Sequence, residues 1–362
     1  MIDELIAEPI RDWLSRDALP GDEIQNAAAL TGGYRNANIL IVTAAGGRYV
    51  LRRYLHSNAC AVEAALAGRL AGIVPVAEVV AADPDGTIAG EPVLLSRFMP
   101  GDMASTVLPE LAPAEAATLG RSAGAALAAI GSISFPRPGF FDGPDLIPGP
   151  DGMEPTADLP AFVDRCLRTE NAQQALTPAE QEGLRQYAAL VGADLSAVHG
   201  SRQLVHADFN PKNLLAVDHN GSWTVTAVLD WEFGLSSSPL FDVGNMLRFR
   251  DELPSSFADG FISGYTDTAG ALPGNWRELS QALDLFALAD FLTRPPEHLF
   301  SGKAASLIRD RIAAVLCHRV PGRSGGNMLP GLADPHVGAG LVGAGSGGKL
   351  AIFGDAALVV GA

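Results

Sequence analysis

The densest group of side chains able to do chemistry is His206-Ala207-Asp208-Phe209-Asn210-Pro211-Lys212-Asn213. It is followed at once by the apolar run Leu214-Leu215-Ala216-Val217 and, after a turn, by Val228-Leu229-Asp230-Trp231-Glu232. An Asp and an Asn on one loop, with a second Asp at the end of a following short strand, can converge on a single metal–phosphate site. Phosphoryl transfer needs such a set. One carboxylate takes the proton of the attacking hydroxyl, while an amide and a second carboxylate hold the magnesium that neutralises charge on the phosphate. Taken singly, these residues are ordinary turn formers. The conjunction of loop, hairpin and apolar strand ending in Asp-Trp is what points to chemistry.

The stretch His206–Asn213 resembles the HxDxxxxN catalytic loop of the aminoglycoside phosphotransferase and choline kinase-like enzymes, small-molecule kinases distantly related to protein kinases. Val228–Glu232 is similar to the strand-plus-Asp that stands in them where protein kinases have Asp-Phe-Gly. The resemblance covers roughly residues 25–295. It implies an α+β, bilobal protein-kinase-like fold, with a small antiparallel β-sheet N-lobe and a larger, mainly helical C-lobe. It also implies ATP and Mg²⁺ in the cleft between the lobes, and transfer of the γ-phosphoryl group to a hydroxyl of a small molecule. In that frame Asp208 is the catalytic base, Asn213 and Asp230 hold Mg²⁺, and His206 supports the loop. Asp242, within Ser238–Gly244, is similar to the family's Asp that braces the loop.

Further site residues are expected upstream. Gly32 and Gly33 open a hairpin where a nucleotide-covering loop would sit, and glycines let backbone amides approach phosphate without interference from a Cβ. A kinase-like site also needs a cation for the α- and β-phosphates, fixed by a carboxylate from the next helix. Arg52 and Glu63 fit, with Arg53 the competing choice. Family members often carry Lys there, but the planar, permanently charged guanidinium suits phosphate. Val93–Met99 is expected to line an adenine pocket. Lys212 is either a stabiliser of the migrating phosphate or a solvated turn residue.

The elements that must position these groups follow from periodicity. Apolar residues recur at helical spacing over residues 1–20, and Pro20-Gly21-Asp22 ends that segment. The runs over 37–43 and 48–55 read as a hairpin, followed by a helix near 59–71 and strands over VPVAEVVAA and EPVLLSRFM. Helices are expected near 114–129, 160–172, 178–199, 253–266, 275–293 and 302–317. A hairpin turns at Asn220-Gly221 between the strands at 214–217 and 224–231. The predicted organisation is an N-terminal amphipathic helix (1–21), the sheet lobe (22–99), the helical lobe with catalytic loop and metal site (100–320), and a Gly-rich flexible tail (321–362).

Composition narrows the function. The 362 residues carry 25 Lys+Arg against 41 Asp+Glu, a formal charge of −16 that disfavours nucleic-acid and anionic-membrane partners. The same charge suggests a cationic amino-alcohol or aminoglycoside as acceptor, beside sugar-like ones. The three cysteines, Cys60, Cys166 and Cys317, lack metal or disulfide spacing, and no apolar run is long enough for a membrane span, so the cytoplasm is expected. GxxxxGK[ST] is absent, which disfavours a P-loop NTPase. Asp230 is followed by Trp-Glu with no Ala-Pro-Glu element, which disfavours a protein kinase. The remaining alternatives are a catalytically silent nucleotide-binding protein, for which Arg52 is the best argument, and a hydrolase or nucleotidyl transferase using the same metal site.

Overall fold

The computed structural model describes residues 2–33, 36–149, 156–319 and 356–359. The N-terminal amphipathic segment forms two helices, α1 (Ile2–Leu5) and α2 (Glu8–Trp13), followed by a π-helical turn over Leu14–Ala18. The single helix expected from periodicity is broken because Pro9 sits in the first turn of α2. Its ring cannot accommodate the carbonyl four residues back, so a new helix starts there instead.

Next come the strands β1 (Ile24–Gly33), β2 (Asn36–Thr43) and β3 (Arg48–Tyr54), the helix α3 (Cys60–Leu70), and the strands β4 (Val79–Asp83) and β5 (Val93–Arg97). They build an antiparallel sheet in the order β1-β2-β3-β5-β4. β1 is a strand that periodicity did not single out. Its Ala-rich centre has low β propensity, and it is held by pairing with β2 from Ile24 opposite Thr43 to Leu30 opposite Asn38.

Alternation along β3 divides its side chains between two environments. Tyr49 and Leu51 join Ile39, Ile41, Val93 and Leu95 in a core roofed by Ile6, Ile10, Trp13 and Leu14, so the N-terminal helices cover the back of the sheet. Val50 and Arg52 face the opposite way, into a cleft.

Beyond Met99-Pro100-Gly101 the chain runs through β6 (Asp102–Met103), α4 (Ala104–Val107), α5 (Pro113–Gly131), β7 (Gly139–Phe140), α6 (Leu159–Leu167), α7 (Glu170–Ala175) and α8 (Pro178–Asp194). It continues through β8 (Gln203–Val205), β9 (Leu214–Asp218), β10 (Trp223–Val228), β11 (Leu235–Ser237), α9 (Leu240–Leu247), α10 (Ser255–Ala269), α11 (Trp276–Phe291) and α12 (Leu299–Arg319). Two small sheets, β10-β9-β6 and β7-β11-β8, sit among the helices and flank the loop His206–Asn213. Asn220 and Gly221 both take positive φ, 56° and 85°, as a tight hairpin turn requires.

α5 supports that hairpin, because Thr118 Oγ1 and Ser122 Oγ accept the backbone N–H groups of Trp223 and Val225 at 3.0 and 2.8 Å. In turn α5 lies backbone to backbone against α10. A Cβ built on Gly124 would come within 2.0 Å of the Phe261 carbonyl oxygen, and one on Gly264 within 2.1 Å of the Arg121 carbonyl oxygen. The large core of the helical part packs Phe162, Phe241 and Phe286 among many leucines. Within the segment expected to be a flexible tail, Ala356–Val359 forms β12, an apolar edge strand antiparallel to β1. The rest of that segment lies outside the described residues. No helix of the described residues is long and apolar enough to cross a membrane.

Candidate active site

The loop His206–Asn213 spans the gap between β8 and β9 and is fixed from below by α9. The carboxylate of Asp242 accepts the backbone N–H groups of His206 and Ala207 at 2.7 and 2.8 Å. That pair of hydrogen bonds from adjacent amides holds Ala207 at φ +66°, a left-handed conformation unfavourable to a residue with a Cβ. Burial pushes the Asp242 carboxyl up to about 7, against the pull of those two amides and the Asn245 side chain.

His206 is sealed in by its own partners. Its Nδ1 accepts the N–H of Asp208 at 3.2 Å, and its Nε2 lies 2.8 Å from the carbonyl oxygen of Leu229. The first contact requires a bare Nδ1 and the second a proton on Nε2, which assigns the neutral tautomer. Burial pushes the imidazole down to about 4. Its ring packs on Trp231 with centroids 4.5 Å apart, so His206 links the two motifs while remaining uncharged.

Asp208 is aimed by amides on both sides. Oδ1 accepts from Asn210 Nδ2 and Oδ2 from Asn213 Nδ2, each at 2.8 Å. Asn213 therefore spends its NH₂ on Asp208, and what remains for a cation is its Oδ1. Asn210 also accepts the Lys212 N–H at 2.9 Å, which closes the turn.

Asp230 does not end the strand as expected. β10 stops at Val228, and Asp230 follows in a left-handed conformation at φ +65°. The Leu229 N–H bonds the Asn213 carbonyl at 2.9 Å and so locks this turn to the loop His206–Asn213.

Around Asp230 stands a buried charge cluster. Arg52 Nη2 lies 2.6 Å from Asp230 Oδ1, 3.4 Å from Glu63 Oε1 and 3.7 Å from Glu232 Oε2. Asn36 Nδ2 donates to the same Glu232 oxygen at 3.0 Å. Burial acts to lower the Arg52 pKa, but attraction to Asp230 and Glu63 outweighs it and the net shift is upward, so the guanidinium stays charged. Glu63 is pushed up to about 8 by burial; Arg52 draws it down, whereas Asp230 and Glu232 raise it.

Arg53, the competing cation, points to the other side of β3 and pairs with Glu91. One oxygen each from Glu63, Asp230 and Glu232 lies within 4.8 Å of the others, and Asp230 Oδ2 is buried with no hydrogen-bond partner. An all-oxygen donor set with an orphaned carboxylate oxygen fits a hard divalent cation such as Mg²⁺.

Two cavities carry these residues on their walls. One is the cleft under the sheet, walled by Leu30, Val50, Leu94, Phe98, Met103 and Leu215, with Arg52, Glu63 and Asp230 at one end. Ser96 to Met99, within the stretch expected to contact adenine, line it too. The other, of about 530 Å³, has Asp208 and Lys212 on its wall together with Phe249, Glu252, Phe300 and Lys303. Asp208 thus opens on one cavity and Asp230 on the other.

Of the residues expected at the site, Asp208, His206, Asn213, Asp230, Arg52 and Glu63 come together. Gly32 and Gly33 are placed at the end of β1 rather than in a turn; the connection itself, residues 34–35, lies outside the described residues. Among the described residues of that hairpin, Leu30 and Asn38 line the cleft. Sequence reasoning missed Asn36, Asn210 and Glu232. Asn210 lies inside the motif and Glu232 two residues past Asp230, so proximity was the available signal. Asn36 had none, since its partner Glu232 is distant in sequence.

The model of the phosphotransferase enzyme family matches residues 26–280. No curated protein matches the chain. Among solved structures, a thermostable mutant of the aminoglycoside phosphotransferase APH(4)-Ia, in ternary complex with ADP and hygromycin B, is similar at a TM-score of 0.62 and 19% identity. That match covers 84% of this chain and 98% of the other. A candidate fructosamine-3-kinase from Thermobifida fusca is similar at a TM-score of 0.58 and 18% identity, over 85% and 98% of the two chains. The GDP and kanamycin complex of APH(2")-IIIa gives a TM-score of 0.58 at 16% identity, over 84% and 98%. These likenesses show the same α+β, bilobal kinase-like architecture. With the family match spanning most of its length, the chain belongs to the phosphotransferase enzyme family, whose members are small-molecule kinases.

Proposed function

We propose that this protein transfers the γ-phosphoryl group of ATP to a hydroxyl of a small molecule, with Asp208 as the base. The observation that carries this reading is the placement of Asp208 and Asp230 on the walls of two cavities, with their backbone segments tied together through Asn213 and Leu229. ATP takes the apolar cleft under the sheet, with its phosphates at the Arg52 end, and the acceptor takes the cavity beside Asp208. Asn210 and Asn213 orient the Asp208 carboxylate toward the incoming hydroxyl. As the acceptor oxygen bonds to the γ-phosphorus, its proton passes to Asp208 and the bond from phosphorus to the ADP oxygen breaks.

Asp230, Glu63 and Glu232, with Asn213 Oδ1, are the residues that would hold Mg²⁺. Bound there, it neutralises charge on the phosphates. His206 stays neutral and holds the loop to Leu229. Buried free thiols at Cys60 and Cys166 agree with a reducing, cytoplasmic setting.

The test compares wild type with Asp208→Asn, measuring ADP formation from Mg·ATP against a panel of alcohols alongside ATP affinity. Loss of about 10³-fold in turnover with ATP affinity retained is the expected result, since removal of a general base costs that order. Equal turnover in the variant removes Asp208 from the mechanism. ATP binding with no Asp208-dependent ADP formation in any arm returns the reading to a silent nucleotide-binding protein.

A further inference from the structure

The second cavity carries a feature that bears on which alcohol it accepts. Lys212 Nζ stands 4.1 Å from the ring centroid of Phe300, and Lys303 Nζ 5.2 Å from that of Phe249. The two rings stack on each other with centroids 5.9 Å apart and planes 17° from parallel. One wall is therefore an aromatic pair flanked by two ammonium groups that belong to the protein itself.

A cationic acceptor needs either open aromatic faces or carboxylates that can receive it. The faces are already engaged by Lys212 and Lys303. Among the described residues lining the cavity the carboxylates are Asp208 and Glu252. Asp208 is aimed by two amides toward the reacting hydroxyl, and Glu252 is held by Lys303 at 2.6 and 2.7 Å. The third cation of the wall, Arg248, is committed to the buried Asp284 at 2.8 Å. Two ammonium groups therefore face two carboxylates, a local balance near zero where the net charge of −16 had suggested a cationic acceptor. Leu253, Leu299 and Met246 make the remainder apolar.

We infer that the acceptor is an alcohol with an apolar body and no positive charge, neutral or anionic, and that amines are selected against by Lys212 and Lys303. The inference rests on the phosphotransferase reading above and specifies its acceptor; the transfer step is the one already written.

Three alcohols with one body and one secondary hydroxyl test it: 2-hydroxy-4-phenylbutyrate, 4-phenyl-2-butanol and 1-amino-4-phenylbutan-2-ol, carrying charges of −1, 0 and +1. Each is titrated calorimetrically into the full-length protein with Mg²⁺ and AMP-PNP, and then assayed for turnover with ATP. The anion and the neutral alcohol should bind at least about tenfold tighter than the amine, the order expected for a desolvated like-charge contact. Lys303→Glu, a change at a partly exposed side chain, should shift the anion-to-amine ratio about tenfold toward the amine. Preference for the amine, equal affinities, no binding by any of the three, or an unmoved ratio in Lys303→Glu each overturns the inference. Failure of the underlying reading looks different: Asp208-dependent ADP formation is then missing with every acceptor, including kanamycin as the polycationic arm.

Discussion

The two charged clusters on either side of the catalytic loop differ in how water reaches them. Around Asp230, Arg52 and its carboxylates are nearly withdrawn from solvent, with side-chain exposures of 9% for Arg52, 1% for Asp230 and 2% for Glu232. Across the loop, Lys303 and Glu252 keep 38% and 56% exposed. Buried charges have given up hydration and depend on one another, so removing one leaves the rest uncompensated. Exposed charges retain water as an alternative partner and contribute little to the fold. The first cluster is therefore bound up with stability and, in the proposed reaction, with holding phosphate and metal, while the second is the one that, in the proposed acceptor selection, discriminates between ligands.

The strongest way to break this contrast is Arg52→Met, which keeps much of the stem and removes the charge. Asp230 and Glu232 would then face each other, with Glu63, without a cation. Truncating one partner of such a buried set costs about 3–5 kcal/mol. The lower end is expected here, because Glu63 already stands near 8 and can take a proton. Urea unfolding without divalent ions should show the loss, and added Mg²⁺ should restore more stability to the variant than it gives wild type. An unfolding midpoint equal to wild type in both conditions would show that the cluster is not a dependent unit.

The same contrast explains what could be read in the chain beforehand. His206–Asn213 is contiguous, so the backbone itself holds Asp208, Asn210 and Asn213 together, and Asn220-Gly221 dictates its turn by conformation alone. β1 was illegible because Ala27-Ala28-Ala29 has no strand signature and depends on its neighbour β2. The left-handed turn at Asp230 follows from tertiary locking of Leu229 to Asn213, which no local pattern encodes. The acceptor wall was harder still. Lys212 comes from the catalytic loop, Phe249 and Glu252 from the connection after α9, and Phe300 and Lys303 from α12. Net charge stood in for that wall, and a total over the whole chain does not report which charges are grouped there.

A smaller effect sharpens the comparison from within the loop. His206 has its folded pKa lowered from 6.5 to about 4 by burial. A depressed folded pKa contributes stability that is present above the unfolded value and lost as pH falls from 6.5 toward about 4. Asp242, raised to about 7, acts in the opposite sense: its contribution is present at low pH and lost as pH rises through about 7. Comparing wild type with His206→Gln cancels the Asp242 share. Between pH 7 and pH 5 the variant should gain about 2 kcal/mol relative to wild type in urea unfolding, whatever its starting deficit. A parallel pH dependence in the two proteins would mean that the imidazole titrates as freely in the fold as in the unfolded chain.

The smallest expected effect lies at the acceptor wall. A double-mutant cycle of Lys303→Gln and Glu252→Gln should return a coupling of at most about 1 kcal/mol in thermal or urea unfolding, falling further in high salt, because both groups are water-exposed. The same variants should nevertheless change the ranking of charged alcohols, since a bound acceptor displaces the water that screens the wall. A stability coupling of several kcal/mol would place Lys303 and Glu252 in the same category as Arg52 and Asp230. The wall would then be structural in origin, and its charge would have to be explained by folding before it could be explained by the ligand.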